Sequence, residues 1–292
     1  MVDHFCFFSY YSPAMNRGDA AVITVMIIFG LTFIAIKIAL AEAGPLFIAF
    51  SRFFIASIIL LPLAGSPRGL PIKHILLLGF TGVAAFFTLQ NFGLVYTTAS
   101  NASLILASIP AITAILSRIF LKESLSRAKL IAISLSIAGV VLIVFAGGGI
   151  GRSSSGDLLV LGSAFSWSVY TILGKKMQGY PSLRVTTYTM VSGAILLFPP
   201  ALWEFRLYPV SSILLPTIIS IFFLGAVASA GAFFLYNWAL KYIEAGRAAL
   251  YTNLPPVVTV TAGVLYLGEP LYPLQIAGGI LVLLGIGVYN KK

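Results

Sequence analysis

Apolar stretches close to 20 residues long recur along the whole chain, separated by short polar connections. A helix that crosses a hydrocarbon core of about 30 Å needs about 20 predominantly apolar residues. The pattern therefore predicts ten transmembrane helices, at about 20–41, 45–64, 72–95, 98–121, 128–146, 157–175, 183–203, 213–239, 245–267 and 273–290. The connections leave no room for a soluble domain.

The second half of the chain repeats the first. Residues 79–139 match residues 225–285 without a gap at an offset of 146 positions, which places Pro110 on Pro256 and Gly139 on Gly285. The upstream part matches at the shorter offset of 138, which places Lys37 on Lys175. Each copy holds five predicted helices, and an odd number of crossings gives the two copies opposite orientations. Inverted repeats of this kind typically build transporters.

Composition and charge agree with a membrane location. The chain is 59% hydrophobic and only 9% charged, with a mean hydropathy of +1.03, whereas soluble domains are about 25% charged. With the N-terminus cytoplasmic, fourteen Lys and Arg residues fall on the inner side and three on the outer side. This bias predicts that both termini are cytoplasmic. The net charge of +10 is spread over six segments, which argues against a nucleic-acid partner and leaves the lipid bilayer as the surface it contacts.

Several short fragments, at repeat spacing, resemble the EamA branch of the drug/metabolite transporter superfamily. They are Gly30–Lys37, Arg52–Phe54, Pro110, Lys122–Glu123, Pro256 and Gly268–Pro270. The first copy departs in carrying Phe29 where family members often have Trp, while the second copy keeps Trp167. The resemblance implies an all-α integral membrane protein of the cell membrane. It also implies ten helices in two inverted five-helix repeats and the export of amino acids or other metabolites.

The resemblance and the repeat together predict three parts. Residues 18–146 form the first EamA-like repeat, and residues 157–290 form the second, within one folded unit. Residues 1–17 are interpreted as an N-terminal extension, either a mis-assigned start or a disordered segment, with an amphipathic anchor as the alternative. They have no basic n-region or small-residue cleavage site, which argues against a signal peptide.

Paired prolines indicate where a transport path would lie. Pro110 and Pro255–Pro256 fall near the middle of the fourth and ninth predicted helices. A proline lacks the N–H donor and clashes with the carbonyl four residues back, and freed carbonyls at membrane depth need protein or a wet cavity. The alternative is that these prolines only kink the helices for packing. Interrupted helices at matching places in two halves favour a substrate site.

Polar and aromatic side chains from other predicted helices accompany these prolines. We expect a central cavity lined by Thr32, Lys37, Gln90, Asn91, Asn101, Pro110, Trp167, Tyr170, Tyr236, Trp238, Tyr251, Asn253 and Pro256. The competing interpretation is that many of them are hydrogen-bonding contacts between helices. Such a cavity suits small amphiphilic solutes such as amino acids.

Two cations and two acids near or within the apolar stretches have open roles. Lys37 either pairs with a substrate carboxylate or extends outward to the interface. Arg52 is expected to be structural, by holding carbonyls of a neighbouring helix or by pairing with Glu42. Glu123 and Glu269, at matching ends of the fourth and ninth helices, are expected to cap or pack.

The remaining inventory limits the mechanism. No carboxylate or histidine is visible at mid-depth, so facilitated diffusion or exchange by alternating access is preferred over proton-coupled efflux of drugs or metabolites. No catalytic motif and no P-loop are present, so neither an enzyme nor an ATP-driven pump is predicted. No cofactor and no metal site are predicted either. A channel, receptor or scaffold is the alternative from another class, and the expected assembly is a monomer or a weak homodimer.

Small residues on the fifth and tenth predicted helices indicate close packing at the edge of the bundle. Gly278 and Gly285 lie seven residues apart on one face, and Ser134 and Ala138 form a small-xxx-small pair.

Overall fold

A computed structural model describes residues 17–122, 126–146, 152–177, 179–207, 214–239, 242, 251 and 254–289. Within these ranges the chain is built from helices, and no strand occurs in them. Residues 1–16 of the predicted extension lie outside the described residues, and so do Glu123 and Asn253. Arg17, the last residue assigned to the extension, is instead the first residue of helix α1 (Arg17–Ala39).

The first half contains helices α1 to α7. Their bounds are α1 Arg17–Ala39, α2 Pro45–Ala64, α3 Ile72–Gly79, α4 Phe86–Tyr96, α5 Ala99–Leu106, α6 Ile109–Phe120 and α7 Arg127–Ala146, with a π-helical segment Phe80–Ala85 joining α3 to α4. The fourth predicted helix is therefore interrupted, and Pro110 lies in the first turn of α6, where its missing N–H leaves no intrahelical bond unmade. The Ser108 hydroxyl at the break donates to the Ile105 carbonyl at 2.6 Å.

The second half contains helices α8 to α13. Their bounds are α8 Arg152–Gly174, α9 Ser182–Leu207, α10 Leu215–Phe222, α11 Ala232–Ala239, α12 Leu254–Leu267 and α13 Pro273–Tyr289, with a 3₁₀ turn Lys175–Met177 after α8 and a π-helical segment Phe223–Gly231 between α10 and α11. Pro255 and Pro256 lie in the first turn of α12 rather than in the middle of a helix. The ninth predicted helix starts at 245, in residues that the structure does not describe.

The described helices identify a multi-pass membrane protein. Seven helical segments are long and apolar enough to cross a bilayer, and three shorter apolar helices accompany them, at Lys129–Phe145, Leu254–Leu267 and Pro273–Gly285. Large apolar side chains point outward, including Ile58, 56% exposed, and Leu265, 73% exposed. A soluble protein would bury many of these side chains, whereas a bilayer accommodates them.

The two halves pack into each other rather than side by side. Helix α2 packs on α9, α4 on α8, α1 on α12 and α7 on α13. The largest buried cluster accordingly draws on both halves, for example Ile36 and Leu94 with Leu224 and Val282. Any cavity inside this core is bounded by helices of both halves.

Helices α7 and α13 meet each other through glycine. Gly278 and Gly285 are buried in this contact, whereas Ser134 and Ala138, the predicted small-residue pair on α7, are exposed, so that part of the prediction is wrong. A Cβ atom at Gly139 would lie 2.5 Å from the Gly278 carbonyl oxygen, and one at Gly285 would lie 2.8 Å from the Ala132 carbonyl oxygen. The offset of 146 carries Gly139 to Gly285 and Ala132 to Gly278. The two contacts are thus equivalent under the sequence repeat.

The π-helical segments were not predicted from the sequence. The same offset carries Phe80–Ala85 onto residues 226–231, within the π-helical segment Phe223–Gly231. The glycines near these segments touch the opposite half: a Cβ at Gly79 would overlap Ser192, and one at Gly225 would lie 2.6 Å from Ile55 Cβ. π-Helical turns are rare in proteins overall, and those that occur are often found at functional sites. The two π-helical segments therefore indicate that the region around them has a functional role.

Candidate functional site

A narrow cavity lies between helices of the two halves, beside the first π-helical segment. Its volume is about 20 Å³, which is enough for one or two water molecules. Its walls are mainly aromatic and apolar, with two threonines, and consist of Phe53, Gly82, Val83, Phe87, Trp167, Tyr170, Thr186, Thr189, Met190 and Phe233. Helices α2, α4, α8, α9 and α11 each contribute at least one of these residues.

The aromatic wall is a continuous series of ring contacts. Ring centroids are 4.6 Å apart for Phe53 and Phe87, 4.6 Å for Phe86 and Phe87, 4.8 Å for Phe86 and Trp167, and 5.0 Å for Trp167 and Tyr170. Trp167 and Tyr170 are three residues apart in α8, so they share one helix face. Edge-to-face and tilted rings at these distances attract each other beyond their buried area.

Glycine and threonine complete the cavity. A Cβ at Gly82 would overlap the Tyr170 ring, so the π-helical segment approaches α8 closely only because residue 82 has no side chain. On the opposite wall the buried Thr189 hydroxyl has no hydrogen-bond partner among the described residues. Such an unpaired buried hydroxyl is costly unless water or a bound molecule satisfies it.

Arg52 is buried directly behind this wall. Its side chain is 5% exposed, and its Nε donates to the Ser229 hydroxyl at 2.6 Å. The guanidinium carbon lies 4.6 Å from the centre of the Phe87 ring and 5.5 Å from that of Phe53. Of the two structural roles expected for Arg52, pairing with Glu42 is wrong, because the hydrogen-bond partner of Arg52 is Ser229, while the Glu42 carboxylate accepts from the Leu214 backbone N–H at 2.8 Å.

Of the thirteen residues predicted to line a cavity, Trp167 and Tyr170 line this one. Gln90 and Asn91 lie in α4 and are buried, and Asn91 Nδ2 donates to the Pro45 carbonyl at 3.0 Å. The amide oxygens of Gln90 and Asn91 have no partner within the described ranges. Thr32 instead hydrogen-bonds its own helix, at the Phe29 carbonyl.

Asn101 belongs to a separate buried polar network. Its Nδ2 is 3.3 Å from both Asp157 carboxylate oxygens, and its Oδ1 accepts from Gln275 Nε2 at 2.6 Å. Thr97 also donates to the Asp157 carboxylate. With every group partnered, this network ties α5 to α8 and α13, which favours a structural role for Asn101.

Glu269 caps α5, as the sequence predicted for a capping or packing role. Its carboxylate accepts from the Ala99 N–H at 2.6 Å, the Ser100 N–H at 3.0 Å and the Ser100 hydroxyl at 2.7 Å. Lys37 is half-buried near the end of α1. Lys37 does not line the aromatic cavity.

The remaining predicted residues lie near the start of α1 or at the proline turns. The Tyr251 hydroxyl donates to the Asp19 carboxylate at 3.1 Å, and the Trp238 ring lies 4.7 Å from that of Tyr242. Tyr236 packs with the same apolar cluster as Trp238 and Tyr251. Pro110 and Pro256 occupy the first turns of α6 and α12. The predicted set is thus distributed over several sites.

Sequence reasoning missed most of the wall. Phe53, Phe87, Met190 and Phe233 carry no polar group, so nothing in the sequence distinguishes them from ordinary core residues. The one available signal was Trp167 with Tyr170 on a single helix face, and those two residues were identified.

Comparisons with known proteins bear on the whole chain. The EamA-like transporter family model matches twice, at residues 16–145 and 154–290. A "Probable amino-acid metabolite efflux pump" of Salmonella typhimurium is 31% identical over 93% of this chain and 94% of its own length. A "Probable terminal-alkyne amino-acid exporter" of Streptantibioticus cattleyicolor is 29% identical over 95% of each chain. A solved crystal structure, 17% identical, shares the fold with a TM-score of 0.65 over 94% of this chain and 98% of its own.

Proposed function

Because the chain belongs to the EamA-like transporter family, we propose that it exports small amphiphilic metabolites, such as amino acids, through the aromatic cavity. The observation that carries the proposal is the cavity itself, which lies between the two halves and combines aromatic walls with the unpaired Thr189 hydroxyl. The names of the two relatives, an amino-acid exporter and an amino-acid metabolite efflux pump, support the same solute class. Family and relatives indicate a membrane transporter rather than an enzyme.

The proposed architecture is ten membrane helices in two inverted five-helix repeats, with both termini cytoplasmic. Three features support it. The glycine contacts between α7 and α13 are equivalent under the offset of 146, the two π-helical segments overlap under the same offset, and Lys and Arg are concentrated on one predicted side. Alternating access then follows from rocking of one repeat against the other around the cavity.

Facilitated diffusion or exchange is the proposed mode of transport. Within the described residues, no carboxylate and no histidine lines the cavity, so a proton-coupling group has no place on its wall. One observation favours the alternative, proton-coupled efflux: Asp19 and Asp157 are buried at positions equivalent under the offset of 138. Uptake driven by an imposed pH gradient alone would support that alternative.

Counterflow in proteoliposomes tests the proposed function. Vesicles loaded with one unlabelled amino acid should accumulate the labelled form transiently, and a panel of amino acids identifies the exported ones. Tyr170→Ala, on the cavity wall, should reduce the rate at least tenfold, since it removes one wall contact and an aromatic surface worth about 1.5 kcal/mol or more.

The matched control is Tyr266→Ala, since Tyr266 is 80% exposed on α12 and does not line the cavity. It should retain the wild-type rate. Equal counterflow rates in the two variants would contradict transport through the cavity. A flux that does not saturate with solute concentration would indicate a channel.

A further inference from the structure

Arg52 is a buried cation that lacks an anionic partner in the described part of the chain. It is the eighth residue of the 20-residue helix α2, about 10 Å from the start of that helix, and it is 5% exposed. Its contacts are the Ser229 hydroxyl and the faces of Phe53 and Phe87. A buried charge without an ionic partner is strongly unfavourable, so a further anionic contact would stabilise this arrangement.

The described carboxylates are engaged elsewhere. Each accepts a hydrogen bond from another group: Asp19 from Tyr251, Glu42 from Leu214, Asp157 from Asn101, Glu204 from Leu46 and Phe47, and Glu269 from Ala99 and Ser100. Three of these sites are helix N-termini, at α2, α5 and α10. None of these five carboxylates is an ionic partner of Arg52, and the chain's other acids, Asp3, Glu123 and Glu244, lie outside the described residues.

The two terminal nitrogens of the Arg52 guanidinium have no hydrogen-bond partner among the described residues. Nε is occupied by Ser229, which leaves the two terminal nitrogens with four N–H donors in one plane. A guanidinium binds a carboxylate through two parallel hydrogen bonds, which a single-atom anion does not match.

Two aromatic rings lie between the Arg52 guanidinium and the cavity. Phe53 and Phe87 line the cavity, and the same two rings contact the guanidinium. No described acidic side chain lines the cavity to receive an ammonium group, whereas Thr186 and Thr189 offer neutral hydroxyls. Arg52 does not line the cavity in this conformation, so a solute among the rings reaches the guanidinium only when the cavity widens and Phe53 and Phe87 move apart.

We propose that Arg52 binds the carboxylate of the transported solute, and that the cavity selects monocarboxylates with an apolar or aromatic body. The proposal rests on the proposed function and names its substrate class. Ser229, in the second π-helical segment, positions the guanidinium through Nε, so the anion site is assembled from both halves of the chain.

Thermal unfolding of the purified full chain with three isosteric probes tests the proposal. The probes are 3-phenylpropionate, the neutral 3-phenylpropanamide and the cationic 3-phenylpropylamine. The wild type should bind the carboxylate roughly 10- to 150-fold more tightly than the amide, the range expected for hydrogen bonds to a charged group in a buried site. The amine should bind most weakly. Equal affinity for carboxylate and amide in the wild type, or no binding of any probe, would overturn the proposal.

Variants locate the anion site. Arg52→Gln should abolish the preference for the carboxylate while retaining affinity for the amide, and Arg52→Lys should retain part of the preference, because a point charge replaces the planar fork. If Arg52→Gln does not fold, Arg52→Lys provides the test. An Arg52→Lys protein that prefers the carboxylate over the amide as strongly as the wild type does would contradict bidentate binding. A preference that is lost in Lys37→Met and kept in the Arg52 variants would assign the anion to Lys37 and overturn the proposal.

A second set of thermal unfolding measurements uses sodium chloride, because a halide is the other anion that a buried guanidinium could bind. Stabilisation by chloride with none by 3-phenylpropionate would also overturn the proposal. Failure of this proposal can be distinguished from failure of the proposed function. Reduced counterflow in Tyr170→Ala, together with equal binding of carboxylate and amide, would support transport through the cavity and contradict solute binding by Arg52.

Discussion

Replacing Gly278 by alanine places one methyl group in the closest contact between helices α7 and α13. The new Cβ would lie 2.6 Å from the Gly139 carbonyl oxygen, 2.8 Å from Ile143 Cγ1 and 3.1 Å from the Ile143 backbone nitrogen. Ordinary van der Waals contact for a carbon atom begins near 3.5 Å. Two of these neighbours are backbone atoms, so no rotamer change relieves the overlap and the helices must separate.

The expected loss of stability follows from that separation. Overpacking by one methyl group typically costs about 1–3 kcal/mol, and separating the helices also weakens the equivalent contact of Gly285 with Ala132, two turns along α13. Alanine is better than glycine in a helix by up to about 1 kcal/mol, which offsets part of the cost. We therefore expect a net loss of about 1–2 kcal/mol for Gly278→Ala and a larger loss for Gly285→Leu, which adds a bulky side chain.

The assay is reversible unfolding in mixed micelles, together with the yield of folded protein. Gly174→Ala is the matched control, because a Cβ at Gly174, the last residue of α8, would meet no atom within 4 Å. It should match or exceed wild-type stability. Equal stability of Gly278→Ala and Gly174→Ala would refute the close packing of α7 and α13. An altered solute preference in the folded Gly285→Leu protein would refute a purely structural role for this interface.

Two further predictions concern the helix cap and the topology. Glu269→Gln should destabilise the protein by about 1–2 kcal/mol in the same assay, because it removes the charge and one of the two oxygens that cap α5. The control Glu42→Gln alters a single exposed hydrogen bond, to the Leu214 N–H, and should destabilise the protein less. A larger loss of stability in Glu42→Gln than in Glu269→Gln would contradict the capping role. A reporter fused after Lys292 and one inserted within 65–71 should both behave as cytoplasmic, and one within 147–156 should behave as external; a cytoplasmic signal from 147–156 would contradict the inverted repeat.

The features that could be predicted from the sequence have a local or periodic cause. Membrane helices follow from apolar length, and the break before Pro110 follows from the missing N–H. The close-packing face of α13 follows from the spacing of Gly278 and Gly285, although its partner α7 does not. Glu269 was identified as a cap or packing group because it follows the ninth apolar stretch directly.

The remaining features depend on contacts between distant segments. The hydrogen bond between Arg52 and Ser229 joins residues 177 positions apart, so the sequence could not distinguish this partner from Glu42. The π-helical segments have the composition of ordinary apolar helix, and no residue type marks them. Phe53 and Phe233 resemble core residues until the fold places them beside Trp167.

Accessibility of the cavity to the two sides of the membrane tests the central claim most directly. In a Cys6→Ser background, which removes the chain's single cysteine, Thr189→Cys places a thiol on the cavity wall. Alternating access predicts that a membrane-impermeant thiol reagent labels this cysteine in both right-side-out and inside-out vesicles, and that an exported solute slows the labelling from either side. Labelling from neither side, or labelling that no exported solute affects, would contradict transport through this cavity.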